Sequence, residues 1–172
     1  WHDGYLACAA MGDAQPVRFA CFSNYAPAQD DQAAPKYDGF EIMSGGDGRV
    51  SFWSQHGVDL IATEALWGIK PHRHEASLCG CAFDDRFLPG PSKGHVVVWK
   101  GRTCERAIRA HEAAIESMHS SGGAGRDRFF ATGSRDGFVK LWNSRFQQTR
   151  GYDLNDAPVP PLLRAAHSVH VG

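Results

Sequence analysis

The stretch from Phe129 to Trp142, "FFATGSRDGFVKLW", constrains this chain more than any other. It reads as an apolar strand, a tight Arg135-Asp136-Gly137 turn and a second alternating strand that ends on Trp142, the pattern of a β-hairpin. The same design occurs upstream at Phe40 to Trp53, and a degraded copy, "GHVVVW", ends on Trp99. The three tryptophans stand at 53, 99 and 142, so the unit recurs at intervals of 46 and 43 residues. A period in that range marks a β-propeller built from small four-stranded blades.

The chain divides accordingly into blades. Residues 1–12 read as the end of a preceding blade, with a His2-Asp3-Gly4 turn and a short strand from Tyr5. Residues 13–66 form the next: an inner strand at Val17, a long polar loop from Asn24 to Gly39, the hairpin to Trp53, and "VDLIATEALW" as the outer strand. Residues 67–109 follow, with "SLCGCAF" as inner strand and "TCERAIR" as outer strand. Between them Pro89-Gly90-Pro91 removes two ladder donors, which predicts a short or irregular strand. Residues 110–157 make the best-preserved blade, and 158–172 the start of a following one. A weak helical period around Arg102 to Met118 is set aside, because a helix there would break the blade period. Rings close with about 4 to 8 blades. The expectation is an all-β segment of three to four blades within a longer chain, in keeping with a first residue that is Trp1 and not Met.

Composition narrows the function classes. Apolar residues make up 42% and charged residues 22%, near globular averages. With 18 Lys+Arg against 19 Asp+Glu the formal charge is −1, which argues against nucleic acid as the main partner. No apolar run approaches the roughly 18 residues of a membrane span, and no basic-then-apolar start resembles a signal peptide. The five cysteines, Cys8, Cys21, Cys79, Cys81 and Cys104, are an odd set scattered through strands and read as reduced, intracellular thiols.

At "GSRDGFVKLW" the chain resembles WD repeats. Over roughly Val17 to Asn143 it is similar to the echinoderm microtubule-associated-protein-like (EML) family, through "FACFS", "MSGGDGRVSFWSQHG", "CAFDD", "GHVVVWKGRTCERAIRAHEAAIESM" and "FATGSRDGFVKLWN". Two features carry it: a blade strand ending on Trp99 followed directly by Lys100-Gly101, and the link through His111 into the next inner strand. The resemblance implies paired WD-type propellers that associate with tubulin and microtubules. The loop from Asn24 to Gly39 and the Pro89-Gly90-Pro91 strand depart from the pattern.

His111, Thr132 and Asp136 are also the ingredients of nucleophilic hydrolysis, with Asp orienting His and His activating a hydroxyl. The spacing favours another account. From Thr132 it is four residues to Asp136 and six more to Trp142, and Ser44, Asp47 and Trp53 repeat this order with one residue fewer. A triad has no reason to recur. The WD resemblance implies a structural network in which Asp accepts from His, His reaches the hydroxyl, and the hydroxyl meets the indole N–H. Trp99 keeps the tryptophan, with His74 as a candidate His, but Lys93 stands where the turn Asp would be; the first blade has no obvious His. His72, His74, Cys79 and Cys81 could suggest zinc, yet Cys-x-Cys on an apolar strand reads as core packing. Gly122 to Gly125 lacks the Lys-Ser/Thr of a phosphate loop.

No catalytic machinery, metal or cofactor is expected. The function expected is protein–protein scaffolding on the microtubule cytoskeleton of the cytoplasm, with tubulin or microtubules as partner. Contact candidates are the cluster Trp67, Lys70, His72, Arg73 and His74, suited to an acidic partner, and the loop with Asp30 and Asp31. The alternatives are a general WD adaptor, of ciliary or ubiquitin-ligase type, and a hydrolase using His111, Thr132 and Asp136.

Overall fold

The computed structural model describes residues 16–23, 42–56, 59–68, 75–121 and 128–155. Among them run twelve strands and no helix. The first four are β1 (Val17–Phe22), β2 (Ile42–Gly46), β3 (Val50–His56) and β4 (Asp59–Glu64). The next four are β5 (Ser77–Phe83), β6 (Arg86–Pro91), β7 (His95–Lys100) and β8 (Thr103–Arg109). The last are β9 (Ile115–Ser120), β10 (Phe129–Ser134), β11 (Phe138–Asn143) and β12 (Gln148–Asp153). They form three four-stranded antiparallel sheets, each in simple chain order. The innermost strands are neighbours, β1 against β5 and β5 against β9, so the sheets fan out as successive blades.

The sheets face each other through two apolar layers. Met43, Val50 and Phe52 of the first sheet meet Phe87, Val97 and Trp99 of the second. On the opposite face of the second sheet, Cys81, Leu88, Val96 and Val98 meet Ile115, Phe130 and Trp142 of the third. Adjacent residues of β7 thus belong to different layers. This explains why "VVVW" is an unbroken apolar run: a strand covered on both sides has no polar face. Phe19 of β1 wedges between sheets, against Gly45 of β2 and Gly80 of β5, where any side chain would overlap its ring.

The turn between second and third strand of each sheet carries a glycine in the left-handed region: Gly48 (φ 73°), Gly94 (φ 78°) and Gly137 (φ 83°). Glycine adopts it without the Cβ clash that other residues meet. Gly94 is also hemmed in by the carbonyls of His111 and Ala113, and its own carbonyl accepts the N–H groups of Ala110 (3.0 Å) and His111 (2.9 Å). The turn of the second sheet thereby holds the connection into the third. At the other end, Arg128 pairs with Asp84 across the same two sheets.

One local expectation holds in part and another needs correction. Pro89-Gly90-Pro91 makes β6 irregular but does not shorten it: β6 pairs with β5 along its whole length across one bulge. The loss falls on the other side, where the β6–β7 register covers only Arg86↔Lys100 and Phe87↔Trp99; Pro89 and Pro91 have no N–H to continue it. Nor does the segment after Val58 run on as one outer strand to Trp67. It ends at Glu64, and Leu66 crosses to the edge of the second sheet, forming a parallel bridge with Thr103. The expected polar loop of 24–39, the Gly-rich loop and the partial blades 1–12 and 158–172 lie largely or wholly outside the described residues.

Candidate functional site

The third sheet brings His111, Thr132, Asp136 and Trp142 together. His111 lies in the connection before β9, Thr132 in the middle of β10, Asp136 in the following turn and Trp142 on β11. Phe130 and Trp142 are direct cross-strand partners, so Thr132, two residues on, shares their face and lies beside the indole. Asp136 Oδ2 is 3.0 Å from His111 Nδ1, His111 Nε2 is 2.7 Å from Thr132 Oγ1, and Trp142 Nε1–H donates to Thr132 Oγ1 at 3.0 Å.

The partners assign the protons. An ionised Asp136 can only accept, so His111 Nδ1 carries the proton and donates to it. In the neutral ring Nε2 is then the acceptor, and Thr132, whose Oγ1 accepts from the Trp142 N–H, donates to Nε2. The imidazole is neutral. Burial lowers its pKa below the usual 6.5, and the contact with Asp136 opposes this only in part. Burial also works against an ionised Asp136. The backbone N–H groups of Phe138 and Glu112, each 3.0 Å away, and the His111 ring outweigh it and hold the carboxyl below its ordinary value.

A hydrolytic nucleophile must reach its substrate. The His111 side chain is 0% exposed and Thr132 is 0% exposed, so the hydroxyl is sealed between two sheets. Its hydrogen is committed to His111, and it accepts the Trp142 indole N–H. The Asp–His–hydroxyl relay has the wiring of a triad and the surroundings of a core fastener, in which each buried polar group has a partner.

The other sheets hold altered versions. In the first, Trp53 Nε1–H donates to Ser44 Oγ at 2.8 Å, but Asp47 faces Arg18 and not a histidine, in a two-pronged pair at 2.7 and 3.1 Å. Arg18 was not legible as a partner, because it lies within the strand and not in the connection where His111 stands. In the second sheet the turn residue Lys93 approaches the buried Glu75 at 3.7 Å, a pair with its charges reversed. Trp99 is fully buried, and its Nε1–H finds no acceptor among the described residues. Pro89 occupies the place that Thr132 holds in the third sheet.

Of the contact candidates, Trp67 must be corrected. It is 8% exposed and packs edge-on against Trp99 with ring centres 4.7 Å apart, so its indole fills the core. Lys70, His72, Arg73, His74, Asp30 and Asp31 lie outside the described residues. Cys79 and Cys81 are buried free thiols. Burial pushes Cys79, like Cys21, up to about 12 and raises Cys81 further, the reverse of what a reactive thiolate needs. Phe146 is a core residue with no signal in the sequence to place it. It sits in the left-handed region (φ 61°) after β11 and packs on Phe83 and Phe130, with the Arg106 guanidinium 4.6 Å from its ring centre.

Residues 102–143 match the family model described as WD domain, G-beta repeat. The matched unit begins with β8, the outer strand of the second sheet, and continues through the first three strands of the third. With three four-stranded antiparallel sheets in succession, the match to one such repeat gives the described residues the architecture of WD-type β-propeller blades.

Proposed function

We propose that the protein is a scaffold that binds other proteins on the microtubule cytoskeleton of the cytoplasm, with tubulin or the microtubule lattice as partner. The observation that carries the scaffold reading is the fate of the reactive residue types. Those that could perform hydrolysis are buried with their protons and lone pairs committed to one another. The turns differ from blade to blade as well, with Asp47 facing Arg18, Lys93 facing Glu75 and Asp136 facing His111, and surface turns and loops are where binding residues concentrate. The cytoskeletal part is supported by the resemblance to the EML family over Val17 to Asn143, carried by the Trp99-Lys100-Gly101 strand end and the link through His111.

Co-sedimentation of the full-length protein with microtubules at low salt tests it. Pelleting that is lost as salt rises is the expected result. A protein that stays in the supernatant at every salt concentration rules out the microtubule partner and leaves the general adaptor reading.

A further inference from the structure

The connection from the first sheet to the second, residues 65–76, is longer than the one from the second to the third, residues 110–114. Its first four residues lie along the outer rim of the second sheet. Leu66 N–H donates to the Arg102 carbonyl at 2.7 Å, and Cys104 N–H donates to the Leu66 carbonyl at 3.2 Å. Ala65 and Trp67 pack inward on the layer that holds Phe52, Phe87, Trp99 and Cys104, while Leu66 stays 47% exposed. The arrangement is that of a bound peptide: backbone bonds to a sheet edge, and an aromatic anchor in a seat beside it. In the third sheet no described segment lies along the outer strand: every residue of β12 is exposed, and Phe146, from the turn after β11, packs on Phe83 and Phe130.

We propose that the rim of the second sheet is a strand-addition site for an extended, Trp-bearing peptide of a protein partner, held closed by Ala65–Gly68 of the same chain. The occupant takes the form small–apolar–Trp–Gly, because the segment seated there has that form and because edge and seat together read it. A strap held by two backbone bonds opens far more readily than a sheet. A tethered strap also competes at millimolar effective concentration, so a partner gains access only as the strap is released. The proposal rests on the scaffold reading for the existence of a partner; edge and seat are tested without one.

The probe is a fluorescein-labelled synthetic peptide of residues 62–68, titrated by anisotropy against the whole protein. Gly68 is in the left-handed region (φ 59°) with open space around it, so Gly68→Ala strains the strap and leaves the seat intact. It is expected to bind the probe about fivefold more tightly than wild type, the effect of the left-handed strain alone. Trp67→Ala, which empties the seat, is expected to gain at least tenfold, and a probe with Ala in place of its Trp is expected not to bind. The proposal is overturned if Gly68→Ala binds no more tightly than wild type, or if the Trp-less probe binds equally well. Should Trp67→Ala fail to fold, Gly68→Ala decides alone. Failure here leaves microtubule pelleting untouched, so the two readings fall separately.

Discussion

Pro89 stands to Trp99 in the second sheet as Thr132 stands to Trp142 in the third. Each is two residues beyond the direct cross-strand partner of its tryptophan, Phe87 in one case and Phe130 in the other. One tryptophan therefore has an acceptor for its N–H, and the other has none among the described residues. Pro89→Thr is expected to stabilise the protein by about 1 kcal/mol, the net value of a buried hydrogen bond. Pro89→Val, with the same shape and no hydroxyl, is the control. The urea midpoint should rise for Thr above Val; equal midpoints would show that the new hydroxyl does not reach the indole.

Thr132→Val should be costly because it breaks two bonds at once. The Trp142 N–H loses its acceptor and His111 Nε2 its donor, both in a layer closed to solvent. A loss of about 1–3 kcal/mol is expected from chemical denaturation. A change within error of zero would sink the claim that this network fastens the third sheet.

Stability should also fall with pH in a way that traces to His111. Its pKa in the fold lies below the unfolded value of 6.5, so above that pH both states are neutral and its contribution is complete. As the pH drops through 6.5 the unfolded chain takes up a proton that the folded one resists, and stability declines until the folded value is passed. The difference in unfolding free energy between wild type and His111→Gln should therefore shrink below about pH 6.5. A pH-independent difference would contradict the neutral, buried imidazole.

The two turn aspartates should not be equivalent. Asp47 meets Arg18 at the surface, with side chains 37% and 46% exposed, whereas Asp136 accepts from His111 and two backbone N–H groups. Asp47→Ala is expected to cost little, and less still in high salt. Asp136→Ala should cost about 1–3 kcal/mol with little salt dependence. Equal losses would show that the first sheet depends on its ion pair as heavily as the third depends on its histidine.

Gly80→Ala tests the wedge between the first two sheets. Its Cβ would overlap the Phe19 ring, which is also confined by Gly45. Overpacking of this kind costs about 1–3 kcal/mol. If the variant is as stable as wild type, Phe19 is free to move and the contact is not a structural wedge.

The blades were legible because hairpins announce themselves locally. Alternation, an Asp-Gly or Lys-Gly turn and a terminal tryptophan all fall within about 14 residues, and the period multiplies the signal. Contacts that join distant stretches were less visible. The Arg18–Asp47 pair spans 29 residues, and nothing in "VRFACF" says that its arginine reaches a turn in the next hairpin. Trp67 misled for a related reason. Its charged neighbours in sequence suggest a surface, but the chain turns inward at the sheet edge, and burial follows the fold and not local polarity. The prolines of β6 were read correctly as missing donors, but which neighbouring strand would lose them depends on register, which a single strand does not reveal.

The offset between the matched repeat and the sheets has a practical consequence. Residues 102–143 carry the outer strand of one blade and the first three of the next. A truncation that follows the repeat boundary and stops before Arg102 would amputate β8, strip the seat of Trp67 of Cys104, and leave Val96 and Val98 of β7 on a raw edge. A boundary just after Arg109 keeps β8 in its sheet, but it gives up the hydrogen bonds by which residues 110–114 tie the second sheet to the third. By the same logic, a gene duplication of the repeat inserts a whole blade without leaving an unpaired strand on either side, because each copy brings the strand its predecessor lacks.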